Sequence, residues 1–175
     1  KAMGKSLPDV LFHLAAHVQL GIVSDVKIKE RMYNVNVNGT SNVLKSALQH
    51  SVKKAVYLST VAIFGSAKRD DIITEDSSPD VENVGEYAKT KYLAYREAMN
   101  IQEQGLPLII FMPGIIFGPG ILGMISLLES FYQGRTRNLP DNYNEINIPL
   151  TFNQDLLRAI FAGMERNTFG EKYIL

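Results

Sequence analysis

Four short apolar runs punctuate the chain: Val10–Leu14 (VLFHL), Ala55–Leu58 (AVYL), Leu108–Phe111 (LIIF) and Lys172–Leu175 (KYIL). Each is continuous rather than alternating, the pattern of strands buried on both faces of a parallel sheet. Helical periodicity fills the intervals. Ile28, Met32, Val35, Val43, Leu44, Ala47 and Leu48 predict a long helix from an N-cap at Ser24 to about His50. A second helix is predicted over Tyr87–Gln104, stopped by Gly105 ahead of Pro107. A third is predicted over Leu122–Gln133, and a fourth over Gln154–Glu165 with Asn153 as its cap. The opening KAMGKSLPDV reads as the end of a helix, a glycine stop at Gly4 and the approach to the first strand. Gly65–Gly85 and Gln133–Pro149 read as loops.

Strands alternating with helices imply βαβ units with right-handed crossovers, and so an α/β fold built on a parallel sheet. Such sheets bind ligands beyond the carboxyl ends of their strands. The segments just past the first three runs are AAH, STVAIFG and MPGIIFGPG. All are small, hydroxylated or glycine-bearing, as close approach of a ligand requires.

Composition narrows the classes. At 175 residues the chain fits one domain with a sizeable core, and its 46% hydrophobic and 21% charged content is ordinary for a globular protein. Eighteen basic residues balance eighteen acidic ones without a long same-sign block, which argues against a nucleic-acid or membrane-surface partner. Cysteine is absent, so disulfides and thiolate metal sites are excluded, and a cytoplasmic setting is the default expectation. His13 and His17 stand four apart, but they straddle a strand end and no carboxylate cluster joins them, so no metal is expected.

The chemistry-bearing candidate is EYAKTKYLAYREA, Glu86–Ala98, where Tyr87 and Lys91 stand four apart on one helix. Taken alone, the spacing fits a solvated surface pair as well as an acid/base couple. The surrounding motifs favour the couple. HLAA (His13–Ala16), NVNGTSNVL (Asn36–Leu44), VYLSTVAIFG (Val56–Gly65), YAKTK (Tyr87–Lys91) and PGIIFGPG (Pro113–Gly120) occur in that order. Together they resemble the extended short-chain dehydrogenase/reductases, a group that includes nucleotide-sugar epimerases and dehydratases, dihydroflavonol reductases and 3β-hydroxysteroid dehydrogenases. The resemblance continues through PLTFNQDLLRAIFAGMERNTFGEKYIL and so covers nearly the whole chain.

This resemblance implies a Rossmann-like doubly wound sheet and hydride transfer between a nicotinamide cofactor, NAD or NADP, and a carbonyl or alcohol substrate. Tyr87 is then the general acid/base, Lys91 lowers its pKa and holds the nicotinamide ribose, and Thr60 binds the reacting oxygen. The same resemblance assigns cofactor contacts to Leu14, Ala15 and Ala16 after the first strand, and to Pro113, Gly114, Ile115 and Ile116 after the third. Asn36 takes a structural or relay role. Glu75–Asp76 reads as a solvated loop. Met112 stands where many relatives carry a substrate-side arginine, which weakens the expectation of a charged nucleotide-sugar. Alternative readings are an epimerase or dehydratase with the same catalytic residues, or a non-catalytic cofactor-sensing relative. Helices 24–50 and 87–104 match the dimer interface of many relatives, so a homodimer is expected.

Relatives open with a strand, a GxxGxxG turn and a helix that together grip the cofactor pyrophosphate. No such motif precedes the first run here. The resemblance therefore places residues 1–175 as a partial Rossmann domain, with the start of a substrate lobe at about 113–150. The N-terminal βαβαβ half, on the order of 60 residues at roughly 30 per βαβ unit, and C-terminal segments fall outside it. These residues alone are then expected to hold a dinucleotide weakly and to show no useful turnover.

Overall fold

The computed structural model describes residues 8–19, 23–65, 71–82, 84–121, 129–135 and 148–175. All four apolar runs are strands of one sheet. β1 (Val10–His13), β2 (Lys54–Leu58), β3 (Leu108–Met112) and the last strand, β6 (Lys172–Ile174), lie in the order β1-β2-β3-β6, every pair parallel. Two further strands, β4 (Ile115–Phe117) and β5 (Leu150–Phe152), pair parallel in a separate two-stranded sheet. β4 lies in the segment read as a loop past the third run, whereas β5 opens the stretch from PLTF onward, which the resemblance implies to be strand, helix and strand. Three residues flanked by glycine and proline are too short to show a period.

The residues along each strand alternate between two cores. Leu11, Ala55, Tyr57, Leu108, Ile110 and Met112 face one side, together with Leu44, Ala94, Ala98 and Ile101 from helices. Val56, Ile109 and Phe111 face the other, covered by Leu156 and Ile160 of α4 (Asn153–Glu165). Burial of a large apolar side chain such as Ile110 or Leu108 contributes roughly 1.5–3 kcal/mol.

The long helix predicted from Ser24 is interrupted. α1 (Val26–Tyr33) and α2 (Gly39–Gln49) are joined by a single π-helical turn, Asn34–Asn38. The turn shifts the phase of the buried face. Val35, inward at a period of 3.6, is exposed, whereas Asn36 and Val37 are buried. The N-cap is Asp25 rather than Ser24; its carboxylate accepts the Lys27 amide at 2.8 Å. α3 (Glu86–Glu103) matches its expected span within a residue, and Gly105 follows in a left-handed conformation (φ 106°). In α4, Asn153 is the first helical residue and Phe152 occupies the cap position. Instead of capping, the Asn153 amide donates to the Pro119 carbonyl at 2.8 Å.

Most of the helix expected over Leu122–Gln133 lies outside the described residues, as does the turn expected at Gly4; within it, Glu129–Tyr132 are helical. Of the loops expected at Gly65–Gly85 and Gln133–Pro149, the described parts carry no strand or helix before Glu86. No helix among the described residues is long and apolar enough to cross a membrane.

Candidate active site

Three loops converge at the carboxyl ends of β1, β2 and β3. The chain past β2 is tied to the chain past β3 by the Ser59 amide on the Phe111 carbonyl (2.7 Å) and the Val61 amide on the Pro113 carbonyl (3.1 Å). Thr60 lies between these bonds, extended (φ −164°, ψ 150°), and caps the short 3-10 helix Val61–Phe64 by accepting the Ala62 amide at 3.2 Å. With the oxygen engaged as acceptor, its O–H remains free to donate. Gly65 closes this segment at φ 72°, and a Cβ there would lie 2.6 Å from the Asp80 carbonyl. Only glycine fits so close a crossing of the 71–82 loop.

α3 brings Tyr87 and Lys91 to this edge. Tyr87 is the second residue of the helix, after Gly85 at the cap position, so it lies at the positive end of the helix dipole. Its hydroxyl lies close enough to that of Thr60 for the threonine to favour the phenolate. Burial acts more strongly in the other direction and pushes the Tyr87 pKa up. Lys91 does not set this value, so the lowering expected from the ammonium is not what the protein alone produces. A protonated phenol at neutral pH is the form that donates a proton.

Lys91 is 2% exposed, an unusual place for an ammonium. Its Nζ donates to the Leu58 carbonyl at 2.7 Å and sits 4.7 Å from the centre of the Tyr57 ring. Burial lowers its pKa to about 8. Beneath it, the His13 ring stacks on Tyr57 (centroids 5.5 Å apart, 15° between planes), and His13 Nε2 shares a 2.8 Å hydrogen bond with the Thr40 hydroxyl. Burial, with Lys91's charge in second place, pulls the His13 pKa down to about 4, so it is neutral at physiological pH. His13 is thus a packed core residue, and its partners are not metal ligands.

Asn36 bolts two parts of the site together. Its Oδ1 accepts the His17 amide at 2.7 Å, and its Nδ2 donates to the His17 carbonyl and to Thr90 Oγ1, both at 3.0 Å. Thr90 in turn donates to the Tyr87 carbonyl at 2.9 Å. Every polar atom of the Asn36 side chain is therefore engaged in holding the segment after β1 against the first turn of α3. Thr90, inside YAKTK, was missed from sequence, where a helical threonine gives no sign of a partner 54 residues away.

Leu14, Ala15 and Ala16 lie exposed in an extended segment at the end of β1. Pro113 is buried. At Gly114 a Cβ would collide with the Pro149 carbonyl, which explains the glycine. The Gly114 amide is engaged by Thr151 Oγ1 (2.9 Å) and the Leu175 carbonyl (3.2 Å), and the Ile115 amide by the Pro149 carbonyl (2.8 Å). Contacts to a ligand at Gly114 and Ile115 are thus left to carbonyl oxygens and side chains, and Ile115 and Ile116 belong to β4 rather than to a loop.

Met112 is completely buried in the core beneath α3, so the position presents no charge at the site. One expectation is corrected. Glu75 is not merely solvated. Its carboxylate accepts the Ile174 amide at 2.9 Å on the free edge of β6, and Lys172 Nζ donates to its carbonyl at 2.7 Å.

A model of the NAD dependent epimerase/dehydratase family matches residues 1–174, almost end to end. The chain belongs to that family. Members and relatives differ in chemistry. A Synechocystis protein with a provisional dihydroflavonol 4-reductase name is 31% identical over 171 residues, 94% of this chain and 48% of that protein. A Schizosaccharomyces pombe sterol-4-alpha-carboxylate 3-dehydrogenase (decarboxylating) is 30% identical over 145 residues, 78% of this chain and 39% of the relative. Among solved structures, gox2253 matches with a TM-score of 0.78 and 30% identity, over 96% of this chain and 50% of that one. A Bacillus cereus UDP-glucuronic acid 4-epimerase, solved with UDP-glucuronic acid and NAD, matches with a TM-score of 0.79 at 20% identity, over 95% and 53% of the two chains; that similarity concerns the fold. The chain thus spans about half the length of the relatives it matches most fully, and its fold is the corresponding part of theirs.

Proposed function

We propose that the protein containing this chain is an NAD(P)-dependent oxidoreductase acting on a carbonyl or alcohol substrate, with Tyr87 as general acid/base. The observation that carries this is the convergence of Thr60 and Tyr87, hydroxyl to hydroxyl, at the carboxyl edge of a parallel sheet, with a buried Lys91 one helical turn beyond Tyr87. The residues present fit the nicotinamide end of the cofactor. The exposed Leu14–Ala16 segment follows β1 and Pro113 follows β3, at the sheet edge where the strand β2 presents its Leu58 carbonyl to the buried Lys91 ammonium. When bound, the cofactor supplies or accepts the hydride.

The rest falls to side chains. In reduction, the Thr60 O–H donates to the substrate carbonyl oxygen, which polarises the bond. Tyr87, held protonated by burial, gives its proton to that oxygen as the alkoxide develops. In oxidation the same proton travels back to Tyr87. Pro113, Ile115 and Ile116 follow β3 at the same edge, and Asn36 holds the segment after β1 in register with α3.

The dihydroflavonol-reductase-like and hydroxysteroid-dehydrogenase-like reading is favoured by the Synechocystis and Schizosaccharomyces pombe relatives, whose matches cover 94% and 78% of this chain. The epimerase or dehydratase reading uses the same residues. Incubating the full-length protein with NADH or NADPH and a panel of ketones and aldehydes, and separately with UDP- and dTDP-sugars, distinguishes them by product analysis. Net nicotinamide oxidation with the carbonyls is the expected result; sugar isomerisation or dehydration without net cofactor turnover would favour the second. We also propose a homodimer in a cytoplasmic setting. Val26, Tyr33, Val35 and Leu93 leave apolar surface exposed on the helices that would form it. Light scattering on the full-length protein tests it.

A further inference from the structure

Tyr57 is completely buried in β2, yet its hydroxyl makes no hydrogen bond. Thr40 and Ser59 lie near enough to act on it electrostatically, and burial still dominates, raising its pKa. Ser59 Oγ is likewise buried and unpartnered. An unpaired buried hydroxyl is destabilising, so hydrogen bonding gives no reason for tyrosine here. The ring does. It is the electron-rich surface facing Lys91 Nζ, which among the described residues has one carbonyl, that of Leu58, to receive its three protons. Leu58 and Tyr57 are neighbours on β2, so one strand presents both the carbonyl and the ring to the ammonium. His13, pinned by Thr40, stacks on that same ring and fixes its plane.

We propose that Tyr57 is a positioning residue for Lys91: its ring holds the ammonium in place, and charged, through a cation–π contact at the end of β2. The proposal rests on the reading of Lys91 as the lysine of the acid/base site. A cation over an aromatic face within about 6 Å is attracted by the ring quadrupole, and most strongly where water is excluded, as here. Apart from that ring, the Leu58 carbonyl is the partner seen for the buried ammonium among the described residues. The other ionisable groups at this place are His13, neutral above about pH 4, and Tyr87, whose pKa is raised, so neither titrates between pH 6 and 9.

The test is the titration of Lys91 followed by NMR of lysine-labelled protein, with the Lys91 signal assigned by its loss in Lys91→Met. Position 57 is replaced by phenylalanine and by phenylalanines carrying one, two and three ring fluorines, which keep the shape while draining the π face. The expected result is an unchanged midpoint with phenylalanine and a stepwise fall on fluorination, about one pH unit in total. Tyr57→Leu should show the full fall at once if it folds; the fluorine series does not depend on it. A midpoint indifferent to fluorination, or one shifted as far by phenylalanine as by leucine, overturns the proposal. Turnover of the full-length variants separates the two readings. If the midpoint falls while kcat and cofactor affinity stay constant, Tyr57 positions Lys91 but Lys91 is not in the active site.

Discussion

The Lys91 ammonium donates to the Leu58 carbonyl at 2.7 Å from a position 2% exposed to solvent. A charge buried this deeply with a single carbonyl acceptor weakens the fold at neutral pH. The folded pKa is about 8, below the unfolded 10.5, so the unfolded state binds more protons between those values and stability rises with pH across that window. Tyr57 and Tyr87 oppose this only as the pH approaches the ordinary tyrosine value of 10, because their folded pKa values are raised. Lys91→Met should remove the rise between pH 8 and 9.5, amounting to about 2 kcal/mol. Urea denaturation of both proteins at several pH values measures it. Equal slopes would mean that Lys91 is ionised in the fold as it is in water.

His13 acts on the acid side. Its folded pKa of about 4 lies below the unfolded 6.5, so its contribution is intact above pH 6.5 and is lost as the pH falls towards 4. His13→Gln should flatten the decline in stability between pH 6.5 and 5, before the carboxylates titrate. Thermal denaturation across this range, compared with the unaltered chain, shows the difference.

Much of the architecture was legible because each strand of the four-stranded sheet is a continuous apolar run, although only β2 and β3 are buried on both faces; Phe12 of β1 is exposed and β6 is partly buried. VLFHL, AVYL, LIIF and KYIL could hardly be anything else once helices separated them. The π turn was not legible. Its extra residue makes sense only with the bonds of Asn36 to His17 and Thr90, partners on two other elements. The caps failed narrowly, since Asp25 and Ser24 are adjacent and both good caps, while Asn153 is engaged by Pro119. At the site, Thr60, Tyr87 and Lys91 stood out through their motifs. Tyr57 did not, because in AVYL it reads as one more core residue, and its role depends on a lysine 34 positions later. Glu75 and Ile174 lie 99 residues apart, beyond any local signal.

Asn36→Ala should destabilise the chain by about 2–3 kcal/mol, since it leaves the buried Thr90 hydroxyl and the His17 peptide without their partner. Hydrogen exchange at the His17 amide should accelerate more than the global loss of stability explains. Exchange that changes only in step with global unfolding would mean that the β1 segment is held by something else.

Glu75 protects an open edge. The Ile174 amide points away from β3, and the Glu75 carboxylate stands where a further strand would pair. That bond holds its carboxyl below the usual range, so the contribution is present above the ordinary glutamate pKa and is lost as the pH falls through the lowered one. Glu75→Ala should speed exchange of the Ile174 amide, and Glu75→Gln, which keeps an acceptor, should restore most of the protection. Equal exchange in all three proteins would contradict the account.

The account's central claim is that Tyr87 passes a proton to and from the substrate oxygen. The most direct measurement is the rate of nicotinamide oxidation by the full-length protein, on whichever carbonyl of the panel it reduces, for the unaltered enzyme and for Tyr87→Phe. Phenylalanine keeps the ring and the packing of the first turn of α3 and removes the hydroxyl, and with it the proton. The account predicts a fall in kcat on the order of 10²–10⁴-fold, with cofactor affinity and thermal stability close to those of the unaltered protein. A Tyr87→Phe enzyme that turns over within a few-fold of the original would contradict it.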